Sequence, residues 1–244
     1  MTVIVVDSAD QVAAQAADLV VEGLAGWSNP LLGVATGSSP LGLYAELAQR
    51  RSRGRLDLSG VRGFALDEYV GLGPSDSRSY AAFVRDRIES PLGLERGAIR
   101  VPAGDTADPA GYAADYDREI RASGGVHVQV LGIGTNGHIG FNEPYSSLGS
   151  RTRVVELTAA TRLANARFFE HVDEVPRAAI TQGIATISEA RRLVLVAVGE
   201  EKAEAVAAAV EGPVTTRVPA SALQLHADAV LVLDRAAASQ LREH

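Results

Sequence analysis

The chain has 244 residues, 46% of them apolar and 22% charged, a balance that fits a packed globular protein and lies far from the polar, highly charged profile of disorder. A formal net charge of -7 argues against nucleic acid as a partner, and no stretch approaches the roughly 18 apolar residues needed to span a bilayer. With no cysteine there can be no disulfide, thiol nucleophile or Cys-ligated metal centre, so the chemistry must come from oxygen and nitrogen groups.

The opening MTVIVVDSAD has neither a basic region nor a cleavage site, so a cytoplasmic location is expected. A β-branched strand over 3–6 leads to an Ala-rich helix over 11–23, then strand 31–35, helix 41–50, strand 61–66 and helix 79–89. Helix 110–122, strand 126–131, strand 152–157, helix 159–169, strand 193–198, helix 200–210 and strand 229–233 follow. This alternation predicts one α/β domain over 1–244, a doubly wound, mostly parallel sheet with helices on both faces. In such a sheet the ligand sits outside the carboxyl ends of the strands. Three turns there carry unusual chemistry.

The first turn, GVATGSSP over 33–40, runs from a buried-type strand through small hydroxyl residues into a helix opening at Pro40. Gly37 allows close backbone approach, Thr36, Ser38 and Ser39 can donate, and a helix N-terminus favours an anion, so this turn suits a phosphate. A Ser N-cap followed by Pro at N1 would account for Ser39-Pro40 by itself. The second turn, FALDEYVGL over 64–72, sets Asp67 and Glu68 directly after a strand. A carboxylate at a partly dry strand end can remove a proton from a carbon next to a carbonyl, although an acidic pair there can also be a helix cap or a solvated turn.

The third turn, LGIGTNGHIGFNEP over 131–144, contains G-x-G-x-x-G at Gly132, Gly134 and Gly137. A dinucleotide site needs a helix to open at the third glycine, and Gly140 and Pro144 argue against one. The turn also sets the imidazole of His138 near the amide of Asn136 and the carboxylate of Glu143, a group suited to proton transfer at neutral pH. A structural hydrogen bond or a metal ligand are the other readings of His138. Cationic partners for a phosphate are available in TRLANARFF, with Arg167, and in GEEKA, with Lys202. Trp27, Tyr80, His127, His171, His226 and His244 read as surface or structural residues.

Taken together, ATGSSP, FALDEYVGL, LGIGTNGHIGFNEP, SRTRVVEL and GPVTTRVPASALQLHADAVLVLD resemble the glucosamine-6-phosphate deaminase family almost end to end. The resemblance implies Asp67 as the enolisation base and His138 as the ring-opening acid/base, assisted by Asn136 and Glu143. It also implies a phosphate site of Thr36, Gly37, Ser38 and Ser39 with charge from Arg167 and Lys202. The implied substrate is glucosamine 6-phosphate, converted to fructose 6-phosphate and ammonia without a cofactor or metal. Many members carry aspartate where this chain has Asn136, which can only orient by hydrogen bonding. Allosterically activated members carry a lysine shortly after SRTR, where this chain reads Val154-Val155. With the short ending after Leu233, this resembles the non-allosteric branch and implies a monomer or small homo-oligomer.

Two other readings compete. A 6-phosphogluconolactonase resembles the family in fold and in its glycine-rich loop with a histidine, but FNEP and DEYVG favour the deaminase. A sugar-phosphate sensor would need a DNA-reading element, and the residues before strand 3–6 offer none.

Overall fold

A computed structural model describes residues 1–242, so His244 lies outside the described residues. In chain order the elements are β1 (Thr2–Val6), α1 (Ala9–Leu24), β2 (Leu31–Val34), α2 (Leu41–Ser52), β3 (Arg62–Ala65) and β4 (Asp67–Tyr69). They continue with α3 (Tyr80–Val84), a π-helical turn (Arg85–Glu89), α4 (Ser90–Leu92), β5 (Ile99–Arg100), α5 (Pro109–Ala122) and β6 (Val128–Leu131). The remainder is β7 (Arg153–Glu156), α6 (Ala159–Asn165), β8 (Ala178–Thr181), α7 (Ile184–Ser188), β9 (Arg192–Ala197), α8 (Ala203–Val210) and β10 (Ala229–Asp234), with short 3-10 turns between some of them.

Seven strands form a parallel sheet in the order β1-β10-β9-β6-β2-β3-β5. From β2 the chain moves to its neighbour β3, whereas from β6 it eventually reaches β9 on the opposite side. The carboxyl ends of β2 and β6 therefore diverge at the topological switch point, where an open α/β sheet binds its ligand.

The inner strands β2, β6, β9 and β10 are buried on both faces, and their period of two divides the core in half. Val128, Val130, Val194, Val196, Val230 and Val232 pack with α1 and α2. Leu131, Leu193, Leu195, Leu231 and Leu233 pack on the other face with Tyr116 and Ile120 of α5 and Val206 of α8.

A second sheet corrects the sequence reading. Strand 152–157 does not join the parallel sheet: β7 pairs antiparallel with β8, and β8 with β4, in a three-stranded sheet. Thr181 stands centrally in it, opposite Asp67 on one side and Arg153 on the other. The chain passes between the sheets at Leu66, whose N–H donates to Val34 O (3.0 Å) and whose carbonyl accepts from Gln182 N (2.7 Å). Two expected helices are also shorter or broken. Helix 79–89 is interrupted by the π-helical turn just before Pro91, which has no N–H to continue a regular ladder. Helix 159–169 ends as α-helix at Asn165 and tightens into a 3-10 turn over Ala166–Phe168.

At the opposite, amino-terminal ends of the strands, the exposed Trp27 ring stacks on His127 at 3.9 Å and lies beneath the Arg191 guanidinium at 4.6 Å. His127 Nδ1 accepts from Leu31 N–H at 2.9 Å, which fixes the ring in the tautomer with its proton on Nε2.

The end of β2 is held by a single side chain. The fully buried Tyr44 hydroxyl on α2 accepts from Ala35 N–H (3.1 Å) and donates to Ala35 O (2.9 Å). Tyr44→Phe leaves both backbone groups without a partner, at a cost of about 1–3 kcal/mol. Thermal melting should show a loss of about 2–4 °C per kcal/mol for a chain of this size. An unchanged Tm would show that water replaces the hydroxyl.

Candidate active site

A cavity of about 660 Å³ opens at the switch point. Its walls include Thr36, Gly37, Ser38 and Ser39 after β2, Asp67 at the start of β4, Asn136 and His138 after β6, and Arg167 and Lys202. Of the residues the resemblance assigns to the site, Glu143 alone does not line it; this carboxylate lies behind His138. Tyr80, read from sequence as a surface or structural residue, also lines the cavity.

The turn after β2 is built for an anion. Helix α2 starts at Leu41 with Pro40, not Ser39, at the N-cap, and no side chain caps it. Leu41 N–H donates to Ser38 O (3.3 Å), but the next amides of the first turn, on Gly42 and Leu43, and the hydroxyls of Ser38 and Ser39 are left for a ligand rather than consumed by a side-chain cap. Gly37 takes φ +94, a conformation costly for any residue with a Cβ.

Two cations approach this turn. Arg167 Nη2 lies 3.5 Å from Ser38 Oγ, and its guanidinium rests on the Phe168 ring at 4.8 Å. Lys202 projects from the 3-10 turn Glu200–Lys202, anchored by Gly199 N–H donating to Asp234 Oδ1 at 3.1 Å. Burial, aided by the charge of Arg167 and opposed by Glu201, lowers the Lys202 pKa. A phosphate dianion would reverse that by pairing with it. Arg162, from the same segment as Arg167, is spent on the carbonyls of Val172 (3.1 Å) and Val175 (3.2 Å).

Asp67 and Glu68 are adjacent in sequence but lie on opposite faces of β4, as strand geometry requires. Asp67 is 4% exposed and faces the cavity. Burial pushes its pKa up to about 8, the Glu68 charge adds to the rise, and the Thr36 hydroxyl works against it. Gly140, at φ +55, brings the loop after β6 over this carboxylate; a Cβ there would stand 3.4 Å from Asp67 Oδ2 and 3.0 Å from Thr181 Oγ1.

Glu68 instead accepts from the backbone N–H of Tyr69 and Tyr80 (both 2.9 Å) and Ala81 (2.8 Å). Burial raises its pKa to about 7 despite those donors. Glu68 thereby fixes the start of α3, which carries the Tyr80 ring against Tyr69 and Phe141.

The loop after β6 opens no helix: Gly137 N–H closes a tight turn on Gly134 O (2.9 Å), and α6 is the next helix. The His138 ring covers Gly134, where a Cβ would meet it at 2.3 Å, so a larger residue there would displace the imidazole. Asn136 bridges the group, its Oδ1 accepting from His138 N–H (3.2 Å) and its Nδ2 donating to Glu143 Oε2 (2.7 Å). His138 Nδ1 lies 3.5 Å from the same Glu143 oxygen and has no other partner. Burial works to raise the Glu143 pKa, but His138, Thr161 and Asn136 outweigh it and hold the carboxyl down at about 2. The loop is pinned from below by the buried Asn142, whose Nδ2 donates to Ile139 O (2.9 Å) and Gln182 O (2.8 Å) and whose Oδ1 accepts from Arg153 (2.8 Å).

The arrangement therefore combines an anion cradle, a largely protonated buried carboxyl and an imidazole backed by an ionised carboxylate. A family model described as glucosamine-6-phosphate isomerases/6-phosphogluconolactonase matches residues 6–232. The chain belongs to this family. It is 50% identical over 242 residues to glucosamine-6-phosphate deaminase of Rhodococcus opacus (strain B4), covering 99% of this chain and 93% of that relative. Over 213 residues it is 55% identical to glucosamine-6-phosphate deaminase of Streptomyces avermitilis, covering 87% and 82%. A solved structure described as a monomeric glucosamine-6-phosphate deaminase superposes with a TM-score of 0.95 at 38% identity, over 98% of this chain and 100% of that one. The 6-phosphogluconolactonase of Trypanosoma brucei superposes with a TM-score of 0.78 at 19% identity, a likeness of fold alone.

Among the described residues no group of three or more His, Asp or Glu is placed to hold a metal, and no helix is long and apolar enough to cross a membrane.

The burial of Asp67 makes stability depend on pH. Its folded pKa of about 8 lies above the ordinary 3.8, so between those values the folded chain binds more protons than the unfolded one. That contribution is complete below pH 3.8 and is lost as pH rises through 8. Asp67→Asn should therefore melt several degrees above the parent at pH 8.5 and show a smaller fall in Tm from pH 5 to 8.5. Glu68 accounts for the part of the fall that remains. Equal falls in both proteins would mean that Asp67 stays ionised when folded.

Proposed function

We infer that this cavity converts glucosamine 6-phosphate to fructose 6-phosphate and ammonia. The observation that carries the reading is the placement of Asp67, a buried carboxyl with pKa near 8, between a phosphate cradle and a His138–Glu143 pair in one cavity. The phosphate is held by the first-turn amides of α2, the hydroxyls of Thr36, Ser38 and Ser39, and the charges of Arg167 and Lys202. His138 moves a proton between the ring oxygen and the anomeric hydroxyl, opening the pyranose to the aldehyde. Glu143 orients the imidazole and balances its charge, while Asn136, which has no titratable proton, only holds the two in register.

The ionised Asp67 then takes the proton from carbon 2, and the electron pair moves to the carbonyl through an enol-type intermediate. A proton passes to the carbonyl oxygen, the same carboxyl returns its proton to carbon 1 to leave an imine at carbon 2, and water adds to that imine and expels ammonia, giving the ketose. Burial suits this role because a base near pKa 8 is strong enough for a carbon acid yet ionised in part at neutral pH. The site draws on residues from Thr36 to Lys202, which supports one catalytic domain. The likeness to a structure described as monomeric favours a monomer or small homo-oligomer.

Purified protein should release ammonia from glucosamine 6-phosphate with chelator present. Asp67→Asn should lower kcat by about 10²–10⁴-fold. Because the base must be ionised, kcat/KM should rise with pH through about 8. Turnover of 6-phosphogluconolactone instead, with Asp67→Asn still active, would move the assignment to a lactonase; turnover of neither substrate would favour a sensor.

Activation by N-acetylglucosamine 6-phosphate is not expected. Arg151 is committed to Asp117 (2.9 Å) and Glu189 (2.5 Å), and Arg153 to Asn142 (2.8 Å) and Ser146 (3.3 Å). Val155 supplies no further charge. Rate against substrate should be hyperbolic with and without that effector; sigmoidal kinetics relieved by it would contradict this.

A further inference from the structure

The resemblance assigns Glu143 to ring opening, yet this carboxylate does not reach the cavity and must act through His138. What holds Glu143 is therefore part of the machinery. Its Oε2 meets Asn136 Nδ2 at 2.7 Å and His138 Nδ1 at 3.5 Å. Its Oε1 accepts from the hydroxyl of Thr161, a buried residue of α6 that comes from outside the loop bearing His138.

The direction of that hydrogen bond is fixed locally. Thr158, the N-cap of α6, accepts from Thr161 N–H (3.1 Å) and can donate its hydroxyl proton to Thr161 Oγ1 (3.1 Å). With its oxygen accepting from Thr158, the Thr161 hydroxyl sends its single proton to Glu143. Two neutral donors on separate elements, Asn136 and Thr161, thus clamp one carboxylate oxygen each, and the His138 imidazole is the remaining group beside it.

We propose that Thr161 is a positioning residue for the ring-opening step: its hydroxyl fixes the Glu143 carboxylate where it can orient and balance His138. The proposal rests on the reading of the site as a deaminase. Without the hydroxyl, Glu143 Oε1 faces the β-branched methyls of a valine, and the carboxylate is free to turn from His138 toward other donors. Thr161 itself lines the cavity, but a valine fills nearly the same volume there and the cradle, Asp67 and His138 stay in place, so the loss falls on proton transfer rather than on binding.

The test is a double-mutant cycle on ammonia release from glucosamine 6-phosphate, with thermal melts confirming that every variant is folded. Thr161→Val should lower kcat about tenfold with KM within about twofold, as loss of an interaction made in the chemical step requires. Thr161→Ser, which keeps the hydroxyl, should retain most activity. In a Glu143→Gln background, Thr161→Val should cost little more, since its partner is already altered. The inference is overturned if folded Thr161→Val matches the parent, if Thr161→Ser is as impaired as the valine, or if the valine costs the same tenfold beside Glu143→Gln. A parent that releases no ammonia would instead fail the deaminase reading on which the proposal rests.

Discussion

A carboxylate removed from water is stable only if its charge is paired or its proton retained, and among the described residues no cation forms an ion pair with Asp67. It is held where β3 of the parallel sheet runs directly into β4 of the antiparallel one, with the Leu66 peptide bonded to Val34 on one side and Gln182 on the other. Ala65 O, one residue earlier, accepts from Tyr116 (2.8 Å) and Gln182 Nε2 (3.0 Å). The backbone at this seam is fully engaged, so the side chain cannot escape toward solvent by local rearrangement. The rest of the site is arranged around that fixed point: the cradle after β2, the loop carrying Gly140 above, and Thr181 beside it.

The same logic separates the other two carboxyls of the site region, Glu68 and Glu143. Glu68 is buried and keeps its place by accepting three backbone N–H groups, which turns it into a brace for α3. Glu143 sits among donors that favour its ionised form and so stays charged beside an imidazole. One environment raises a carboxyl toward neutrality and the other drives it down, and the division of proton-transfer roles follows from that contrast.

Much of the site was legible because its chemistry demands particular residue types in short stretches. Small hydroxyls with Gly37 before a helix, an acid at a strand end, and an imidazole in a glycine-rich turn are local patterns, and the structure gathers all three at one cavity. The second sheet was not legible. β4 and β8 are three and four residues long, too short for a period to register, and they exist through pairing across more than a hundred positions. For the same reason Asp67 and Glu68 read as one acidic turn, although a strand there sends them to opposite faces. Tyr80 reaches the site only through tertiary contacts and stands in no stretch whose composition marks it, while Thr161 opens TRLANARFF, a stretch whose arginines and not its threonine carry the visible signal.

The stack at the far end of the sheet has a spectroscopic consequence. Trp27 is the chain's only tryptophan, and it lies at the amino-terminal ends of the strands, while the cavity lies at their carboxyl ends. Its emission therefore says little about cavity occupancy and a great deal about the imidazole beneath it. Burial, with the charge of Arg191, lowers the His127 pKa, and protonating Nδ1 would break its bond to Leu31 N–H and put a cationic quencher against the indole. Intrinsic fluorescence in this protein is thus a built-in reporter of acid-induced loosening at the β2–β6 junction, independent of the catalytic end.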